Sequence, residues 1–154
     1  MVLASDPVPA NRVRALAFGA THSLPTGDEL IAHLADLTDA RGADVVFELA
    51  GRDESAQASP TFARTGGTVI LAGTVAPTAP LRIDPEKIVR RMLTIRGVHN
   101  YHPRDLHAAL MFLAGPGRGF AFESLVAAEF SLDAVESAFA RAHASAGSRV
   151  AVVP

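Results

Sequence analysis

Cysteine is absent from the 154 residues. That excludes disulfides, a cysteine nucleophile and a thiolate zinc site within the chain. Clusters of Lys and Arg are absent too, and the formal net charge is −2. Nothing here recruits nucleic acid. No apolar run approaches the roughly 20 residues of a membrane span. No basic segment followed by an apolar stretch opens the chain, so no secretory leader is read and the cytoplasm is the expected compartment. Histidines stand at 22, 33, 99, 102, 107 and 143, but none forms an HxxxH or HExxH pair. His99 and His102 are the nearest to a metal-binding spacing, and a loop with surface histidines is the expected reading.

What is there reads as a globular α/β chain. Hydrophobic residues make up 49% and charged residues 19%, and the length suits one domain with a real core. Val2 to Ser5 is a short apolar strand, ended by Asp6 and a Pro-x-Pro turn. Pro9 to Phe18 is helical, with Val13, Leu16 and Ala17 on one face and Gly19 as terminator. Thr26 to Asp39 repeats Leu30, Ile31, Leu34 and Leu37 at helical spacing, and Thr26 with Glu29 matches a capping box. DVVFELA, residues 44–50, is β-branched and aromatic; its helical neighbours predict a strand buried on both faces.

The alternation continues. Asp53 to Arg64 is a helix with a proline, Pro60, in its interior. GGTVILAG, residues 66–73, is the clearest strand. A Pro-rich loop over 74–83 ends in an extended LRI, and Pro85 to Arg91 is a brief helix capped by Asp84. Leu93 to Val98 is a strand, and Pro103 to Leu113 a helix with Leu106, Leu110 and Leu113 on one stripe. Residues 115–119 form a loop, Ser124 to Phe130 is extended, Leu132 to His143 helical and Arg149 to Val153 extended. Strand and helix in turn, with buried strands, predict a parallel sheet covered by helices. The last two strands flank a helix and could equally belong to another sheet.

In such sheets a ligand sits beyond the carboxyl ends of the strands. Those ends carry Asp6, Ala50-Gly51-Arg52, Ala72-Gly73-Thr74 and Val98-His99-Asn100. Glycine there lets a backbone approach a ligand, or simply makes a tight turn. An acid at the end of a second nucleotide-binding strand accepts hydrogen bonds from adenosine ribose and repels a 2′-phosphate. The alternative is that Asp6 only caps the helix that follows. The G-x-G-x-x-G expected upstream of such an acid is not in the chain. GPGRG at 115–119 follows a helix and fails the strand-before-helix context.

FGATH (18–22), GADVVFELAG (42–51), GGTVILAG (66–73), LTIRGVHNY (93–101), FSLDAVESAFA (130–140) and SRVAVVP (148–154) occur in this order. Their order and spacing resemble the C-terminal half of medium-chain, zinc-type alcohol dehydrogenases. The GVHNY ending is similar to a bacterial subgroup linked to phosphonate breakdown. The resemblance implies a fold class: an α/β, incomplete doubly wound parallel sheet, Rossmann-like and lacking its first strand. Residues 1–119 would be a partial NAD-binding domain, and 120–154 a return segment of the catalytic domain. The zinc ligands and proton relay of full-length relatives would lie outside this chain, which would bind no zinc itself.

The resemblance also implies site residues. Asp6 would bind the adenosine ribose of NAD, with Asn11 where some members have a ribose-contacting Lys and Arg12 as its substitute. Arg52 would lie against the adenine, Gly73 and Thr74 near the nicotinamide ribose, His99 and Asn100 near the carboxamide, and Arg149 at the pyrophosphate. Family members dimerise through the edge strand matching 93–98, so a homodimer is expected. Three fates stay open: a cofactor-domain fragment inactive alone, one half of a split dehydrogenase, or an NAD-binding or dimerising module without chemistry.

Overall fold

The computed structural model describes residues 1–144 and 149–154; Ser148, which opens the last motif, lies outside the described residues. The chain divides into two compact units, residues 24–102 and residues 1–23 with 103–154.

The 24–102 unit is built on a three-stranded parallel sheet, β3 (Ala43–Glu48), β4 (Ala63–Leu71) and β5 (Thr94–Gly97), in that order. Val46, Val69 and Ile95 stand in register across it. Val69, on the middle strand, is fully buried. Helix α3 (Asp53–Phe62) packs on β3 and β4. It survives Pro60 because Ser59 Oγ donates to the Ala56 carbonyl at 2.9 Å, the acceptor that the missing proline N–H would have served. Helix α4 (Pro85–Arg90) is capped as expected, with Asp84 Oδ1 accepting from Glu86 N–H at 3.0 Å. The next residue, Arg91, donates from its guanidinium to the carbonyls of Pro60 and Ala63, tying α4 to the start of β4.

Two expectations fail here. The Thr26–Glu29 capping box does not form. Helix α2 (Asp28–Thr38) starts one turn position later, behind Gly27 at φ 105°, with no side-chain cap. Acidic Asp28 and Glu29 in its first turn meet the dipole instead. Strand β3 is not buried on both faces: Val45, Phe47 and Leu49 are exposed while Glu48 is buried. β3 has one paired neighbour, β4, among the described residues. Among the described residues no strand pairs with its other edge, and the expectation had assumed a covered sheet.

The other unit has two strand pairs. β1 (Leu3–Ser5) pairs with β2 (His22–Leu24), a three-residue strand too short to show a period in the sequence. α1 (Pro9–Ala17) connects them, with Pro9 at its first turn and Gly19 closing it at φ 93°. β6 (Val126–Ser131) and β7 (Arg149–Val153) form a separate parallel pair, with α6 (Val135–Ala144) packed on both. α5 (Pro103–Ala114) leads into a short 3-10 turn, Pro116–Gly119, where a loop was expected. Phe18, Phe112, Phe120 and Phe122 form the aromatic cluster of this unit, with ring centroids 5.2 Å apart for Phe18 and Phe122 in a T-shaped pair. Among the described residues no helix is long and apolar enough to cross a membrane.

Candidate functional site

Glu48 ends β3 and is only 3% exposed. Its Oε1 accepts hydrogen bonds from the N–H groups of Ala50 at 2.9 Å and Gly51 at 2.8 Å, and from Ser55 Oγ at 2.7 Å. Its Oε2 accepts from Thr74 Oγ1 at 2.9 Å. Its carbonyl accepts from the N–H groups of Ala72 and Gly73, at 3.0 and 2.9 Å. The chain segments leaving β3 and β4 therefore cross at this one residue. A Cβ on Gly51 would run into the Gly73 carbonyl, and one on Gly73 into the Leu49 backbone. Only glycine permits that approach. Burial pushes the Glu48 carboxyl up, but the hydrogen bonds from Ser55, Gly51, Thr74 and Ala50 together outweigh it and hold the group below its ordinary range.

Arg52 follows this crossing as the residue before α3. Its guanidinium is solvent-exposed and 3.6 Å from Glu54, an ion pair of little energetic weight. It lines an open cleft of about 280 Å³ with Gly51, Asp53, Pro77 and Thr78. The Pro-rich loop is docked beside it: Asp53 Oδ1 accepts from Ala79 N–H at 3.0 Å, Gln57 Nε2 donates to the Pro80 carbonyl at 2.9 Å, and Gln57 Oε1 accepts from Arg82 N–H at 3.0 Å. The arrangement is a glycine-lined crossing with a guanidinium and a helix N-terminus at the carboxyl ends of parallel strands. Glu54 lines the cleft too, so with Asp53 beside it the cleft suits a polar or planar ligand. His99 and Asn100 follow β5 and are exposed, Asn100 at φ 57°.

In the other unit, Asp6 follows β1 and is half-buried. Its Oδ1 accepts from Val8 N–H at 2.8 Å and its Oδ2 from Asn11 Nδ2 at 3.1 Å. The carboxylate thus braces the entry to α1, and each oxygen keeps a further lone pair for a hydroxyl. Arg12 donates to the carbonyls of Asp6 and Pro7 at 2.8 and 3.0 Å, so its head is held at the strand end. Arg149 lines an open groove of about 560 Å³ with Asn11, Arg14, Phe18 and Phe122.

The structure therefore brings Thr74 to the Glu48 carboxylate and Gly73 to the Glu48 carbonyl, leaves the Arg52 guanidinium exposed beside Glu54, and holds Arg12 on the Asp6 carbonyl. Among the described residues no hydrogen bond joins His99, Asn100 or Arg149 to either group. Glu48 itself escaped the sequence reading. Its signal was an acid as the last residue of an apolar strand, with Leu49 and then Ala50-Gly51 following. The residues present do not fit a zinc ion. Cysteine is absent, and among the described residues no cluster of three His, Asp or Glu side chains comes together.

Residues 1–115 match the family model described as zinc-binding dehydrogenase. A Rhizobium meliloti protein named as a D-xylulose reductase is 34% identical over 109 residues, 71% of this chain and 30% of its own length. The alcohol dehydrogenase of Thermotoga maritima superposes with a TM-score of 0.85 at 20% identity, over 93% of this chain and 40% of that one. A protein of Sinorhizobium meliloti 1021, named as a zinc-binding dehydrogenase and solved bound to NADP, superposes with a TM-score of 0.83 at 26% identity, over 100% of this chain and 45% of that one. The chain thus spans less than half the length of the relatives it matches. With a family match over residues 1–115, the chain belongs to the zinc-binding dehydrogenase family.

Proposed function

We propose that the chain supplies the nicotinamide-dinucleotide-binding part of a zinc-type, NAD-linked alcohol dehydrogenase and oxidises no alcohol alone. The observation that supports this most is the Glu48-held crossing of Gly51 and Gly73 at the strand ends, in a chain of this family. In this reading Arg52 meets the adenine, Gly73 and Thr74 the nicotinamide ribose, His99 and Asn100 the carboxamide, and Arg149 the pyrophosphate. Asp6 meets the adenosine ribose. Its carboxylate favours NAD, because a 2′-phosphate would bring negative charge against it; the NADP-bound relative makes that choice worth measuring. Residues 120–154 act as the return segment of a catalytic domain.

Bound nicotinamide accepts or donates the hydride. The chain's own groups bind and orient the dinucleotide, and nothing in the described set holds the metal that polarises an alcohol oxygen. The purified chain is therefore expected to show no NAD-dependent oxidation of primary or secondary alcohols, with or without added zinc. Turnover above a blank refutes the reading.

Strand β5 supports a second element of the proposal, a homodimer. It is the edge of its sheet, and an isologous pairing of two such edges closes on itself.

A further inference from the structure

We propose that Glu48 is a positioning residue, whose carboxylate locks the segments leaving β3 and β4 into one rigid crossing and so fixes where Arg52 and Thr74, the residues that follow Gly51 and Gly73, are presented to a dinucleotide. The inference rests on the cofactor reading above and adds to it a residue that touches no ligand.

The geometry separates this carboxylate from an ordinary turn acid. An Asx-like turn needs one oxygen and one segment. Glu48 uses Oε1 for the β3 exit, through Ala50, Gly51 and Ser55, and Oε2 for the β4 exit, through Thr74. Main-chain bonds from Ala72 and Gly73 reinforce the second segment. The acid is buried, and its charge is met by N–H and O–H dipoles, not by a cation. A buried acceptor with every donor aimed at it resists displacement, because each donor left behind loses its partner. The glycine pair makes the lock tight: Gly51 and Gly73 meet backbone to backbone, so any loosening at Glu48 parts them. Arg52 is the next residue after Gly51, and Thr74 the next after Gly73. A glutamine keeps the shape. Its amide oxygen serves the three Oε1 donors, and its NH₂ donates to Thr74 once that hydroxyl turns. An alanine serves none of them.

The test uses the full chain with AMP as probe, because AMP carries the adenosine half and no nicotinamide ribose. Wild type, Glu48→Gln, Glu48→Ala and Thr74→Val are titrated by NMR at a temperature where each is folded. Amide hydrogen exchange is followed at Ala50, Gly51 and Gly73. Thr74→Val is the sharpest variant, since Thr74 is assigned to the other end of the cofactor. The proposal expects it to weaken AMP at least threefold and to raise exchange at Gly51, on the opposite segment. Glu48→Ala should weaken AMP at least tenfold with exchange rising at all three amides together; Glu48→Gln should stay within threefold of wild type. Should Glu48→Ala not fold, Thr74→Val decides alone. Unchanged AMP binding in Thr74→Val, or exchange rising on one segment only, overturns the proposal and leaves the cofactor reading standing. A wild type that binds neither AMP nor NAD overturns both, while coupled exchange would still mark Glu48 as a structural clamp.

Discussion

Replacing Ile95 by proline tests the dimer edge while leaving the hydrogen bonds within the sheet in place. Val98 N–H donates to the Leu71 carbonyl at 3.0 Å, inward to β4. Main-chain groups alternate along a strand, so Arg96 N–H also faces β4 while the N–H groups of Ile95 and Gly97 face the open edge. Ile95→Pro therefore removes a donor that no bond within the sheet uses, and proline is tolerated at such edge positions. In an isologous dimer the change acts twice. Two hydrogen bonds at roughly 0.5–1.5 kcal/mol each amount to about 1–3 kcal/mol, a dimer weakened about 5- to 150-fold. Sedimentation velocity across a concentration series should show the wild type dimerising and Ile95→Pro shifted to monomer, with its urea midpoint lowered no more than in Ile95→Ala, which loses the same half-buried side chain but keeps the edge donor. Arg96→Pro is the contrasting variant: it removes an inward donor and should lower the midpoint itself. A wild type that stays monomeric at the highest concentration, or an Ile95→Pro dimer of undiminished strength, refutes the edge-pairing argument.

The central strand gives a stability prediction. Val69→Ala deletes two methyl groups at a fully buried site and should cost about 2–3 kcal/mol, transfer plus cavity, whereas Val45→Ala, at a site 46% exposed, should cost well under about 1 kcal/mol; urea midpoints measured at constant slope check both. Glu48 gives a pH prediction. Its folded carboxyl lies below the ordinary range, so it stabilises the fold above the ordinary glutamate pKa, and that contribution is lost as pH falls through the depressed folded value. Asp44, held down by its hydrogen bond to Arg64, titrates in the same sense. The acid-side loss of stability should therefore flatten only in part in Glu48→Gln, and an unchanged pH profile in that variant contradicts the hydrogen-bond account.

The sequence announced the elements that obey a period and missed what depends on partners. α2, α3, β4 and α4 were legible because helical apolar spacing, a cap such as Asp84 and a Gly-flanked β-branched run are local signals. Pro60 weakened α3 on paper, yet the rescue by Ser59 lies one residue away in the same helix. β2 was invisible because three residues carry no period, and its pairing with β1 is not local. Phe47 and Leu49 were expected inside because an apolar run looks the same whether or not a neighbouring strand covers it. At the candidate site, the place of Gly51, Arg52, Gly73 and Thr74 after strands was legible in the sequence. Glu48 was not, since an acid within an apolar run shows its purpose only when Thr74, 26 residues away, is seen to bond it.

An NMR titration of the full chain with NAD tests the central claim most directly. A glycine-rich phosphate turn is absent from the sequence. Losing two charge-assisted bonds of about 1.5–3 kcal/mol each moves a micromolar site to the millimolar range or weaker. The account predicts millimolar binding, with shifts at Asp6, Arg52 and Gly73, competition by AMP but not by nicotinamide mononucleotide, and loss of binding in Asp6→Ala. Micromolar binding, or binding indifferent to Asp6→Ala and to AMP, would contradict it.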